Sequence, residues 1–316
     1  MENPVKDCYD CTHYDVVVIG AGPHALALVT RLLERWPSSI ISDTEHSRVH
    51  HLHSGKCHKN KRDETAPLTI NGLNKRILVI DKYGEWMAKW DKSFRAYDIE
   101  HLRSPLFFHM DPSHPEALRA YAQKHNRSDE LNDITNIVDN CKNYRQNSKK
   151  GRGFNFNHAD REQFYTPGTR LFSDFCLDLI DRYNLYDMVV EGVCTRVDKT
   201  PKGFEVTYSC GENGCTKNTT IYANAVVCAI GNTNIKRIPD FVHDIKTNYP
   251  LSRISHANDF VDCLGALDHS SHDHSEIIPK QLARKLFNHE NTRLVVVGGG
   301  LTAAQVRVLS ANQPDG

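Results

Sequence analysis

Two glycine signatures, near opposite ends of the chain, carry the clearest chemistry. The first, Gly20-Ala-Gly22-Pro-His-Ala25, follows Asp15-Val-Val-Val-Ile and opens a stretch in which Ala25, Leu28, Val29, Leu32 and Leu33 share one helical face. The β-branched run reads as a buried parallel strand, so the glycines occupy a strand-to-helix turn. Such a turn has a mechanism for binding a dinucleotide. Gly20 permits the tight reversal, Gly22 lets backbone approach a pyrophosphate, and small Ala25 lets helix and strand pack closely. The helix start then offers unpaired N–H groups and a partial positive charge to the phosphates. The second signature, Gly298-Gly-Gly300-Leu-Thr-Ala303, repeats this spacing between Arg293-Leu-Val-Val-Val and another apolar-periodic helix. One mononucleotide fold does not use both turns. Two dinucleotides held by two domains do.

An acidic residue should end the second strand, about 20 residues past the glycines, to hold ribose hydroxyls. The next strand, Arg76-Ile-Leu-Val-Ile-Asp81, comes later because residues 42–74 form a polar, aperiodic insertion. Asp81 is the expected ribose ligand; the competing reading is a strand-end cap on the following turn. Residues 82–112 are aromatic and punctuated by proline, with too little period for a long element, and read as loop and short turns near a site. A helix is expected from Pro115, then a second polar insertion over 126–153. Phe172, Phe175, Cys176, Leu179, Ile180 and Tyr183 mark a core-facing amphipathic helix. Three strand-like runs follow, Met188 to Arg196, Phe204 to Ser209 and Ile221 to Ile230. This β-meander ends at Ala229-Ile-Gly231. By spacing alone Gly231 is a strand-end turn, although the meander would return it beside the first glycine signature.

The order G-A-G-P, V-I-D with a G-E-W-x-x-x-W tail, H-L-R-S-P, T-P-x-x-x-F-x-x-F, A-I-G with Pro239, and G-G-G-x-T-A-A resembles the NAD(P)H-dependent flavoprotein monooxygenases with two dinucleotide-binding domains. Within them it is most similar to the group related to L-lysine and L-ornithine N-hydroxylases. The resemblance implies an α/β architecture: a Rossmann-type FAD-binding domain with the inserted meander over 14–240, after a tail at 1–13, and the start of a second Rossmann-type domain at 241–316. It implies that Gly20, Gly22, Ala25 and Asp81 bind FAD, that Gly231 lies by its pyrophosphate, and that backbone around Val193 and Cys194 meets the adenine. Trp90 and Ser104 would approach the flavin. Gly298, Gly300 and Ala303 would bind NADPH or NADH, and the reduced flavin would activate O2 to oxygenate a small nucleophilic substrate. One fingerprint of the wider family is half present: Pro250-Leu-Ser252-Arg-Ile-Ser-His256-Ala-Asn-Asp-Phe260 keeps His256 and Phe260 but lacks the leading Phe and Gly. N-hydroxylases often lack it too. No residue is assigned as a catalytic acid or base.

Composition bounds the alternatives. Lys+Arg and Asp+Glu both number 39, so the chain has no net charge with which to neutralise nucleic-acid phosphates or anionic lipid. The start of the chain has neither a signal peptide nor a transit-peptide bias, and no apolar run is long enough to span a bilayer, which points to the cytoplasm. The ten cysteines, spread through a long chain without a secretion signal, read as free thiols. Cys8-x-x-Cys11 with His13, the histidines between His46 and His58, and His269, His272 and His274 lack a paired ligand spacing, and no metal is expected. The second nucleotide unit begins near Arg293 and the chain ends at Gly316, short of the roughly 30 residues a βαβ unit takes. The NAD(P)-binding domain is therefore expected to be truncated. That leaves two rivals to the monooxygenase reading: a flavin reductase or oxidase that does not oxygenate, and a non-catalytic FAD-binding regulatory protein.

Overall fold

The computed structural model describes residues 13–34, 76–133, 165–211, 217–231, 236, 238–248, 254, 256–259 and 295–311. The chain divides into two compact units, residues 1–88 with 101–231, and residues 89–100 with 232–316. The sequence boundary was expected near residue 240.

The first unit is mixed α/β around a six-stranded, parallel-rich sheet, an arrangement consistent with a Rossmann-like fold. Its strands are β1 (His13–Ile19), β2 (Ile77–Asp81), β5 (Val189–Glu191), β6 (Val193–Thr200), β7 (Gly203–Cys210) and β8 (Lys217–Cys228), in the order β5-β2-β1-β8-β7-β6. The first four strands in that order are parallel, with Val17 opposite Leu78 and Val226. Both faces of β1 and β2 are buried: Val17, Leu78 and Ile80 on one, Val18, Ile77 and Val79 on the other. This is why those runs are continuously apolar instead of alternating. A short hairpin pairs β3 (Leu131–Asp133) with β4 (Tyr165–Pro167).

The long strand β8 belongs to two ladders. Its first part, Lys217 to Ala223, pairs antiparallel with β7, and its later part, Tyr222 to Cys228, pairs parallel with β1. Val206, Ile221 and Ala223 of the meander form one cluster with Val17, Leu78 and Ile80 of the parallel strands. The expected run Met188 to Arg196 splits at Gly192, whose N–H closes the β5–β2 ladder on the Asp81 carbonyl at 2.8 Å before the chain turns to pair with β7. A Cβ on Gly192 would lie 2.6 Å from the Tyr208 ring, so no larger residue fits that crossing without displacing the ring.

Helix α1 (Pro23–Leu33) starts where proline fits, at a position whose N–H has no intrahelical acceptor. Its buried residues are Ala25, Leu26, Val29, Thr30 and Leu33. The expected face is thus rotated, with Leu26 and Thr30 in place of Leu28 and Leu32. Thr30 can be buried because its hydroxyl donates to the Leu26 carbonyl at 2.9 Å or the Met110 carbonyl at 2.8 Å. Helix α3 (Ala117–Lys124) appears just after Pro115, and α4 (Thr169–Arg182) buries Phe172, Phe175, Cys176, Leu179 and Ile180 as expected, with Leu171 added. Tyr183 and Leu185 extend that core beyond the helix end.

One sequence expectation is corrected here, and one is refined. Helix α2 (Ala88–Ala96) occupies part of the segment expected as loop. Its only buried residue is Ala96, so an apolar periodicity had little to register. The insertion expected from residue 126 begins as ordered chain: Arg127 pairs with Glu130 and with Asp174 of α4, and the Gly168 N–H bonds the Glu130 carbonyl at 2.8 Å. The polar composition there reflects ion pairs. Residues 35–75 and 134–164, which hold the rest of both insertions, lie outside the described residues.

In the second unit, α5 (Asp240–Asn248) and α6 (Leu301–Ala311) are helical. Tyr97 donates its hydroxyl to the Ala257 carbonyl at 2.7 Å, and Gln305 of α6 donates to the Tyr97 carbonyl at 2.8 Å. Among the described residues no helix is long and apolar enough to cross a membrane.

A buried ion pair fixes loop 101–116 to α4. The Asp111 side chain is almost fully buried, takes an N–H from Arg182 at 2.6 Å and accepts from the Ser113 hydroxyl and N–H. Burial raises its carboxyl, but Arg182 and Ser113 together outweigh it and hold the group below its ordinary value. The corresponding stabilisation is complete above the ordinary carboxylate pKa of about 4 and is lost as pH falls below it. In urea denaturation, Asp111→Asn should be less stable than the wild type at neutral pH. The gap should shrink below about pH 4; a gap constant across that range would contradict this role.

Candidate functional site

The carboxyl ends of β2, β1 and β8 converge on the first glycine signature. Gly20 has φ 102° and donates its N–H to the Ile80 carbonyl at 2.8 Å. A Cβ there would lie 2.6 Å from the Ala229 carbonyl oxygen, so both the backbone conformation and the space demand glycine. The Ala229 N–H in turn bonds the Ile19 carbonyl at 2.8 Å, which ties the A-I-G segment to the turn.

Gly22 differs from Gly20. It caps α1 with an ordinary φ of −82°, and nothing lies within 4 Å of where its Cβ would be. Gly231, with φ 60°, is equally open and sits two residues beyond the Ala229 carbonyl that faces Gly20. At the start of α1 the N–H groups of Gly22, His24 and Ala25 have no intrahelical acceptor, and Pro23 has no N–H to satisfy. The first turn carries no acidic residue to oppose an anion. Ala25 is fully buried, the close packing its small size allows.

Asp81 is the hub of this region. One carboxylate oxygen accepts the Ala21 N–H at 2.9 Å and the other accepts the Tyr83 N–H at 2.8 Å. Its backbone carbonyl faces the Gly192 N–H. The side chain thus caps the turn after β2, the bland reading of the sequence, and also grips the glycine turn from below. Each carboxylate oxygen keeps a second lone pair with which a ribose hydroxyl could bond. Val193 and Cys194, at the start of β6, follow the Gly192 that contacts Asp81. Val193 is exposed, and Cys194 is half-buried against the sheet cluster, where burial pushes its thiol upward.

The other expected site residues have different surroundings. Ser104 lies in a segment pinned to β4, because the Leu102 N–H bonds the Pro167 carbonyl at 2.9 Å and the Leu106 N–H bonds the Tyr165 carbonyl at 3.0 Å. Trp90 is on α2, in the second unit, and stacks on Phe94 with ring centroids 3.9 Å apart. Gly298, with φ 128°, and Gly300 precede α6 with nothing within 4 Å of a Cβ at either, and Ala303 is half-buried. Of the strand expected before them, residues 293 and 294 lie outside the described residues, and residues 295–297 pair with none of the described strands; Val295 is 80% exposed. A β-branched run becomes a strand only against a neighbour, and the described residues of this unit offer none. His256 accepts the Asn258 N–H at 3.1 Å, whereas Phe260 lies outside the described residues. So do Cys8, Cys11 and the histidine-rich stretches.

Several residues that hold the site were given no part in it by the sequence. Trp86 is buried and donates its indole N–H to the Leu185 carbonyl at 3.0 Å. Met87, also buried, donates its N–H to the Ala21 carbonyl at 2.8 Å. Tyr183 donates its hydroxyl to Glu34 at 2.5 Å, past the end of α1, and burial followed by that carboxylate raises its pKa. The aromatic G-E-W segment was a visible signal for the first two. Nothing in the sequence pairs Tyr183 with Glu34.

No protein-family model matches the chain, nor does any curated protein. Two solved structures of an ornithine hydroxylase, PvdA from Pseudomonas aeruginosa, are similar at the level of a distant fold. The reduced form is 15% identical with a TM-score of 0.39, over 74% of this chain and 42% of that one. A second structure is 14% identical with a TM-score of 0.40, over 75% and 43%. The chain thus spans less than half the length of those proteins.

The contrast between the two glycines is directly testable by unfolding. Gly20→Ala should lose about 2 kcal/mol or more, since a left-handed alanine would also collide with backbone. Gly22→Ala should cost under about 1 kcal/mol, the difference between glycine and alanine as an N-cap. Equal losses would mean that the two positions are not distinguished in this way.

Proposed function

We propose that the chain is a flavin-dependent oxidoreductase. In this reading it holds FAD on the Gly20–Gly22 turn, takes NADPH or NADH on the Gly298–Gly300 turn, and oxygenates a small nucleophilic substrate with O2 in an N-hydroxylation-like reaction. The observation that carries the reading is the asymmetry of the first turn. Gly20 is needed to fold it, whereas Gly22 and Gly231 leave open space at the start of α1, whose first N–H groups have no intrahelical acceptor. Folding alone does not require that space; a pyrophosphate would use it.

The residues present fit a dinucleotide. Gly22, His24 and Ala25 would donate backbone N–H groups to the phosphates, and the uncompensated N-terminal end of α1 would favour their charge. Asp81, steadied by the Ala21 and Tyr83 N–H groups, would accept from the adenosine ribose, with backbone at Val193 and Cys194 beside the adenine. When bound, FAD would supply the redox chemistry, accepting electrons from NAD(P)H and passing them to O2. The protein's part is to bind, orient and exclude water. Ser104 and Trp90 are the proposed neighbours of the flavin ring, and Gly298, Gly300 and Ala303 those of the nicotinamide coenzyme.

Purified protein should be yellow, or become so with added FAD, and should oxidise NAD(P)H. A colourless protein that refuses FAD and leaves NAD(P)H unchanged would overturn the proposal. Hydroxylated product formed in step with NAD(P)H consumption separates a monooxygenase from a reductase or oxidase, which would yield only reduced acceptor or peroxide. Gly22→Ala should weaken FAD binding at least about tenfold in a protein that unfolds nearly as the wild type does, because its Cβ occupies the phosphate's place.

A further inference from the structure

Met87 is the least expected residue of the first unit. Its φ is 64°, in the left-handed region, although its side chain is long and 2% exposed. A non-glycine residue in that region costs about 1–3 kcal/mol and persists only where its surroundings impose it. The surroundings are visible. Trp86 is anchored through its indole N–H to the Leu185 carbonyl, and Ala88 begins α2, so the chain must reverse at residue 87. In that conformation the Met87 N–H reaches the Ala21 carbonyl at 2.8 Å.

That bond acts on the middle of the glycine turn. The Ala21 carbonyl and the Gly22 N–H belong to one planar trans peptide, so they point in opposite directions. A carbonyl held toward Met87 therefore turns the Gly22 N–H to the opposite side. The preceding peptide is fixed as well, since the Ala21 N–H is held by Asp81 at 2.9 Å. Glycine on one side and alanine on the other would otherwise leave this peptide easy to rotate.

We infer that Met87 is a positioning residue for the dinucleotide: its backbone N–H, delivered by a left-handed conformation, locks the Ala21–Gly22 peptide so that the Gly22 N–H faces the pyrophosphate. This rests on the proposal that the first turn binds FAD. The element responsible is the backbone of residue 87, and the buried side chain only helps to hold it.

The full chain, with FAD and ADP as probes, provides the test. Met87→Pro removes the N–H and forbids positive φ. Met87→Gly keeps the N–H and adopts the conformation freely while losing the same side-chain burial. Met87→Gly should bind FAD within about threefold of wild type even if it unfolds more easily, whereas Met87→Pro should bind FAD and ADP about tenfold or more weakly, the size of one hydrogen bond to a charged group. If Met87→Pro does not fold, Met87→Ala against Met87→Gly takes its place. Alanine should bind both probes several-fold more weakly than glycine, because it bears the left-handed cost. Equal affinities for the glycine variant and its proline or alanine counterpart, with a wild type that binds FAD, overturn the inference alone. A wild type that binds neither probe overturns the FAD reading and the inference with it.

Discussion

The first unit is organised around one crowded point, where the Ala229 carbonyl meets Gly20 at the ends of β1 and β8. A Cβ at residue 20 would come within 2.6 Å of that oxygen. With the approach in place, the Gly20 N–H reaches Ile80, the Ala229 N–H reaches Ile19, and the strand ends are drawn together. Asp81 then falls beside Ala21, and α1 leaves the sheet with its N-terminus bare. The same glycine that makes the sheet end compactly thus also places the start of α1 beside the open side of Gly22.

A second layer of polar ties keeps α1 in that position. Thr30 bonds to the Met110 carbonyl, Tyr183 to Glu34, and Arg182 to Asp111. All three involve buried or half-buried partners, so each would leave a costly unsatisfied group if broken. Together they link the far end of α1, loop 109–113 and the end of α4. His109 belongs to the same region. Burial pushes its imidazole below its ordinary value, and the neutral ring can accept the Asp111 N–H while its other nitrogen meets the Pro115 carbonyl. A protonated ring would lose the acceptor that Asp111 uses.

The parts legible in the sequence are those governed by short-range pattern. The strand-turn-helix at residues 13–33, strand β2, the buried face of α4 and the last two meander strands follow from period and β-branching alone. The rotated face of α1 escaped because Thr30 counts as polar until its partner 80 residues away is known. The split at Gly192 and the double use of β8 are properties of sheet assembly, and no local window contains them. The α2 helix was hidden because a helix that buries one alanine has no apolar stripe to read.

The two glycine signatures make the limit of motif reading concrete. Their spacing is identical, and each is followed by a helix. Around Gly20, strands on both sides of β1 supply the acceptor for its N–H and the carbonyl that crowds its α-carbon. Around Gly298 the described residues supply neither, and the valines before it are unpaired. Open space at Gly22 is informative because Gly20, two residues earlier, is packed tight. The same open space at Gly300 has no packed neighbour to contrast with it. A glycine turn of this spacing is therefore shaped by the strands that press on its first glycine as much as by the glycines, and among the described residues only the first signature has those strands around it.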